Sequence, residues 1–391
     1  MGVAQAMTTT HSMRWASGRL LPRLSVVGFA AVFAVAGLAW GVPNRVPAAN
    51  AAGCLIYVAA GDDIANGHDL NDNAQRYPER LLEDHLKAPG WCLYNQAKNG
   101  QTSKTFIDDG GLAGAYNKRP DLITIQLGEQ NDPALKLVND CFDKVKDHQF
   151  LDATSCASQI LANVSLWDNI KKNYTTILQM TRIMQSQRPK LVVAVVNYPN
   201  PYPQALDVPS KYSPMCTNLV DTIGTCLTRW NQLPAALFAI DQVFQKLNQT
   251  LKDALAPFQT GPSGYRWVYV DVYPKFKNHC MTMKVSIFTT VYHPPSTVDV
   301  HNSTDNNIGC SSKWFTETYN GSRIPDYLPP AQLGILMTYT QVTVSMGKYP
   351  NADGQKCISD AIWDADTILP GQTPLKWLLG SGEESRTDIC Q

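Results

Sequence analysis

The chain has no excess of either charge: 33 Lys and Arg stand against 33 Asp and Glu in 391 residues. Without a basic excess there is no electrostatic footing for nucleic acid, and no such partner is expected. Charged residues are sparse at 17%, against 44% hydrophobic. That is a globular composition and excludes disordered and collagen-like classes. No Cys-x-x-Cys pair occurs, which speaks against a zinc ribbon; no metal and no other cofactor is expected. Internal repeats and low-complexity tracts are absent. Acidic residues are missing altogether before Ala52, whereas Arg14, Arg19, Arg23 and Arg45 fall there. Without that segment the balance is 29 basic to 33 acidic, about −4.

The N-terminus accounts for the asymmetry. Arg14, Arg19 and Arg23 precede an uncharged apolar run from Leu24 to Val42, followed by Ala48-Ala49-Asn50-Ala51-Ala52. A basic start, an apolar middle and a small-residue A-x-A site predict a secretory signal cleaved near Ala52. Left uncleaved, the run is close to the length that spans a bilayer, and this is the one route by which a membrane association is expected. Ala51-Ala52-Gly53-Cys54 is a weak lipoprotein-attachment pattern. All ten cysteines follow the signal, and an even number in an exported chain predicts disulfides. The short spacings point to Cys141–Cys156 and Cys216–Cys226.

Short apolar runs at Leu55–Ala60, Cys92–Asn95, Asp121–Leu127, Leu191–Val196 and Trp267–Val272 read as strands. Helical spacing of apolar residues lies between them, at Tyr77–Leu86, Asn169–Gln187 and Leu233–Leu255, and a last helix is expected over Gln332–Met346. Alternation of this kind predicts a three-layer α/β/α sandwich with a mainly parallel, five-stranded, doubly wound sheet. Its site would lie beyond the carboxyl ends of the strands. Residues 1–51 are then signal and linker, and 52–349 one α/β domain. Within it, residues 281–325 read as a long inserted loop. Residues 350–391 form a C-terminal extension held by Cys357 and Cys390.

Four segments at those strand ends resemble the motifs of the SGNH (GDSL-type) hydrolases, as in secreted actinobacterial-type members. Gly61-Asp62-Asp63 with the turn after it resembles the first, G-D-S. Asn99-Gly100 resembles the second, whose glycine donates a backbone N–H. Asp121–Asp132 resembles the third, D-L-v-t-i-x-i-G-x-N-D. Ile324–Gly334 resembles the last, D-x-x-H-P-n-x-x-G. The resemblance implies a flavodoxin-like SGNH fold and ester hydrolysis by a serine with a histidine base. It also implies an oxyanion held by backbone N–H groups and an asparagine amide.

The catalytic pair is what this chain lacks. Asp63 stands in the serine place and Pro329 in the histidine place. Asp62, Gly100 and Asp326 are kept, and the asparagine place falls on Gln130 or, with one inserted residue, Asn131. Losing nucleophile and base leaves no route to the usual acyl-enzyme. Asp63 has four readings. It caps a helix. Its carboxylate plugs the oxyanion hole, accepting from Gly100 and from Gln130 or Asn131. It acts as a nucleophile with His68, His293 or His301 as base. Or it holds a cation with Glu129 and Asp132. Trp230, Trp267, Trp314 and Tyr319 line a groove or, as scattered aromatics more often do, the core. The expectation is a secreted, monomeric, catalytically impaired protein binding a carbohydrate, lipid or ester ligand. The alternative is a hydrolase or acyltransferase with a rebuilt site.

Overall fold

The computed structural model describes residues 54–86, 90–128, 133–146, 149–202, 232–260, 263–277, 279, 282–293, 297–309, 319–323, 336–345, 349–365 and 390. These belong to one compact unit, Ala52–Gln391. The expected signal, Cys216, Cys226, Trp230, Trp314, Glu129, Gln130, Asn131, Asp132, Asp326 and Pro329 lie outside the described residues. Among the described residues, no helix is long and apolar enough to cross a membrane.

Five strands form the first sheet: β1 (Leu55–Gly61), β2 (Trp91–Asn95), β3 (Leu122–Gln126), β4 (Val192–Val196) and β5 (Trp267–Val270). All pair in parallel, in the order β2-β1-β3-β4-β5. The inner strands β3 and β4 are buried along their whole length, as expected of a parallel sheet covered on both faces. Edge strand β2 is only half buried, and Cys54 beside β1 is tied to Cys92 on it by a disulfide. A cysteine so bonded is not a lipid-attachment site.

The helices are α1 (Tyr77–Arg80, continued by a π-helical turn, Leu81–Leu86), α2 (Ser103–Asp108), α3 (Gly111–Lys118), α4 (Pro133–Lys146), α5 (Phe150–Ala162), α6 (Val164–Gln187), α7 (Leu233–Leu255) and α8 (Ala352–Trp363). The chain runs from β1 outward to β2 and then back across the sheet to β3. Right-handed crossovers therefore put α1 on one face and the later crossover helices on the other. The packing agrees. Helix α8 lies on α1, whereas α2, α3 and α7 pack against α6. In α7 the buried residues Leu237, Ile240, Val243, Phe244, Leu247 and Leu251 fall on one stripe. Cys141–Cys156 joins α4 to α5, and Cys357–Cys390 holds the chain end to α8.

Two expectations fail in the C-terminal third. Residues read as an inserted loop form strands β6 (Thr282–His293), β7 (Thr297–Gly309) and β8 (Tyr319–Arg323). The segment read as the last helix forms β9 (Leu336–Ser345) instead. They build an antiparallel sheet of order β7-β6-β9-β8. Thr338, Thr340, Val342, Thr343 and Val344 explain β9, because β-branched side chains favour strand over helix. Strands β7 and β8 hid because Thr, Ser, Asn and Asp leave no apolar run to find.

Candidate functional site

The parallel sheet reverses its winding between β1 and β3, so a crevice opens beyond their carboxyl ends. Asp62 follows β1 there, with its N–H on the Gln126 carbonyl at 3.0 Å. The fully buried Asp62 carboxylate accepts the N–H of Ile64 at 3.1 Å and the Tyr198 hydroxyl at 2.5 Å. Tyr198 comes from the loop after β4 and is exchanged in two bonds with the Asn248 side chain of α7, at 2.9 Å each. Asp62 therefore ties the β1 turn to the β4 loop across β3.

Asp63 points elsewhere. Its residue is 1% exposed, and its Oδ2 accepts the N–H of Gly100 at 2.8 Å. A carboxylate on a backbone N–H is a charge-assisted bond, shorter and stronger than a neutral one. Gly100 has φ 71°, a left-handed conformation that glycine adopts without strain. The loop carrying it is registered on β1 by Lys98 N–H on the Gly61 carbonyl, 3.1 Å. It then enters α2, which Thr102 and Thr105 cap reciprocally. The bond to Gly100 is one half of the plugged-hole reading; the other half, through Gln130 or Asn131, lies outside the described residues. The helix-cap reading fails. Turns, not a helix, follow Asp63, and the local bond to Ile64 is made by Asp62.

On the far side of the crevice, β3 ends under a clamp. The buried Tyr174 hydroxyl of α6 both accepts the Leu127 N–H at 2.9 Å and donates to the Leu127 carbonyl. The backbone that leads into residues 129–132 is thereby fixed. Residues Asn197–Tyr202 after β4 are held by a polar net. Asn197 accepts the Val272 N–H at 2.7 Å, and Asp241 of α7 accepts Asn200 and the Tyr273 hydroxyl at 2.6 Å each. Burial first, then the Asp241 carboxylate beside it, pushes the Tyr273 hydroxyl well above its ordinary value.

Of the three candidate histidines, His68 alone belongs to the Asp63 turn. Its N–H closes that turn on the Asp63 carbonyl at 2.9 Å. His293 and His301 sit on β6 and β7 of the antiparallel sheet, opposite Thr297 and Thr289. His68 stacks on Tyr349, with ring centres 4.4 Å apart and planes 28° apart. Its Nδ1 lies 2.8 Å from Asp69 Oδ1, off the line that a directed hydrogen bond needs. The His68 side chain is 36% exposed, while Tyr349 is buried.

Tyr349 is a candidate site residue that motif reading missed. Tyr349-Pro350-Asn351-Ala352-Asp353-Gly354 fits the H-P-n-x-x-G half of the last motif, with tyrosine in the histidine place. Asn351 caps α8 through the N–H groups of Asp353 and Gly354. One turn on, the buried Gln355 donates to the Ile64 carbonyl at 2.9 Å. The signal was present in the sequence, but a competing match at Ile324–Gly334 absorbed it. Trp267 is core, fully packed and donating to Gln185 at 3.2 Å. Among the described residues no group of His, Cys, Asp or Glu is arranged to hold a metal ion. A groove of about 550 Å³ lined by Gln179, Ile183, Pro257 and Phe258 lies toward the amino ends of β4 and β5, opposite the crevice.

No protein-family model matches the sequence, and no curated protein matches it either. Several solved structures are similar. A lipase from a goat rumen metagenome is 20% identical over 57% of this chain and 83% of its own, with a TM-score of 0.35. A GDSL-like lipase from Parabacteroides merdae is 13% identical over 57% and 79%, with a TM-score of 0.31. An acetyl-xylooligosaccharide esterase variant from Geobacillus is 11% identical over 57% and 78%, with a TM-score of 0.30. Likeness of this size carries no argument about activity. The class of the chain rests on its own sheet order and on the motifs at its strand ends: it is an α/β/α protein with a flavodoxin-like parallel sheet. Within that class its strand-end segments resemble the motifs of the SGNH hydrolases.

Proposed function

We propose that this chain is an exported SGNH/GDSL hydrolase-like protein, catalytically impaired for acyl-enzyme chemistry, that binds a glycan, lipid or envelope ligand in its crevice. One observation carries the reading: the Asp63 carboxylate sits 2.8 Å from the Gly100 N–H, where an esterase needs a hydroxyl and an open donor. Ester hydrolysis builds negative charge on the substrate oxygen. A carboxylate about 4 Å away opposes it by roughly 4 kcal/mol at an effective dielectric of 20. That is on the order of 10³ in rate. The residual catalysis of a site stripped of its triad is about 10³ to 10⁴ over water, so the opposing charge removes most of it. Disulfides at Cys54–Cys92, Cys141–Cys156 and Cys357–Cys390 support an oxidising compartment.

The test is turnover of p-nitrophenyl acetate and butyrate by the wild type and by Asp63→Ala, with binding measured on glycan arrays and lipid vesicles. Trace turnover in both, with binding to one ligand class, is expected. Robust wild-type turnover that vanishes in Asp63→Ala refutes the impaired reading. It favours instead a rebuilt site in which Asp63 works with a histidine outside the motif, and the place of His68 in the same turn is the observation on that side.

A further inference from the structure

We propose that His68, beside Asp69 and seated on Tyr349, is the proton-handling residue of the crevice. The proposal rests on the SGNH-hydrolase-like reading of that crevice and goes beyond it by assigning a base where no motif places one. Three observations converge. First, the backbone N–H of His68 is fixed to the Asp63 carbonyl at 2.9 Å, so residue 68 belongs to the turn that carries position 63. Gly67, with φ 65°, permits this turn; a Cβ there would meet Arg76 Cγ at 2.5 Å. Second, the ring is not loose. Stacking on the buried Tyr349 at 4.4 Å fixes its plane, and α8 holds Tyr349 through the Asn351 cap. Third, Asp69 Oδ1 lies 2.8 Å from Nδ1, so a carboxylate accompanies the ring. The side chain is 36% exposed, so the ring is open to solvent on one side.

The chemistry becomes visible once position 63 carries a hydroxyl. In Asp63→Ser, that hydroxyl attacks the acyl carbon of p-nitrophenyl acetate and its proton passes to His68. The bond to p-nitrophenolate breaks, leaving an acetyl ester on the protein. His68 gives the proton it took to solvent and is neutral again; water then attacks this ester, His68 accepts the water's proton and passes it to the departing serine oxygen, and acetate is released. The Gly100 N–H, no longer engaged by the Asp63 carboxylate, faces the developing oxyanion.

The experiment compares wild type, Asp63→Ser, Asp63→Ser with His68→Ala, and Asp63→Ser with Tyr349→His. Asp63→Ser gains about 100-fold or more in turnover over wild type, the usual worth of a positioned base. His68→Ala removes the gain, and added imidazole restores part of it. A gain that survives His68→Ala, or that appears only with Tyr349→His, overturns the proposal. A second measurement needs no substrate pocket. In Asp63→Cys, iodoacetamide alkylates the thiol several-fold faster with His68 present than in the His68→Gln partner, because a nearby imidazole raises the thiolate fraction. Equal alkylation rates also overturn it. Absence of turnover in every variant, with unequal alkylation, refutes the ester-site reading and leaves His68 in its assigned role. Robust wild-type turnover lost in Asp63→Ala refutes only the impaired function.

Discussion

Replacing Gln355 by methionine tests how the turn bearing Asp63 is held. Gln355 is fully buried, and its side-chain amide joins two backbones far away in sequence. Oε1 accepts the N–H of Tyr77 at 2.9 Å, and Nε2 donates to the Ile64 carbonyl at 2.9 Å. Methionine has nearly the same length and shape but makes neither bond. Tyr77 is the first residue of α1, so its N–H has no partner within the helix. Left buried without an acceptor it costs about 1–3 kcal/mol. The Ile64 carbonyl keeps the Gly67 N–H at 3.0 Å, so its loss falls at the low end, about 0.5–1 kcal/mol. Together Gln355→Met destabilises by about 1.5–4 kcal/mol, which for a domain of this size is roughly 2–6 °C in Tm. Urea denaturation with linear extrapolation reads it, and amide exchange at Tyr77 speeds up in parallel. A variant within about 0.5 kcal/mol of wild type, the scatter of neutral surface changes, refutes the bridge.

His85→Phe keeps a ring over Trp363, at 5.0 Å in the wild type, but removes the 2.8 Å bond to Asp360. Burial alone would raise the Asp360 carboxyl; the hydrogen bonds from His85 and Lys356 outweigh it and hold the group below its ordinary value of 3.8. A depressed carboxyl stabilises above its unfolded pKa and loses that contribution as pH falls through the folded one. The gap between wild type and variant, about 2 kcal/mol at pH 7, therefore narrows below pH 4; equal gaps at pH 7 and pH 3 contradict this. Cys141→Ala with Cys156→Ala opens a loop of 15 residues and costs about 3 kcal/mol in denaturation. Gly100→Ala forces φ 71° on a residue with a Cβ, costing about 1–2 kcal/mol; an unchanged Tm contradicts the left-handed turn.

What was legible in the sequence follows from what repeats. The five parallel strands are apolar runs, because both faces of that sheet are covered, and each was found within a residue or two at either end. Helix α7 spans Leu233–Leu255 as its apolar stripe predicts. Of the antiparallel strands, β7 and β8 carry too many polar residues to stand out, whereas β6 and β9 alternate apolar with polar residues and form no continuous apolar run. The Asp63–Gly100 contact was legible because motif and strand end coincide. Tyr349 was not, because a degenerate motif without its histidine can be matched in two places. The replacement at position 63 has a physical logic that the motif alone does not show. A backbone N–H shaped to receive an oxyanion is equally shaped to receive a carboxylate. In an esterase that donor waits for the transition state; here Asp63 satisfies it in the resting fold. On the proposed reading, the charge that opposes acyl transfer also stabilises the turn through the Gly100 N–H, so the turn is held without a nucleophile. A crevice that stays formed without its chemistry is what a binding role requires.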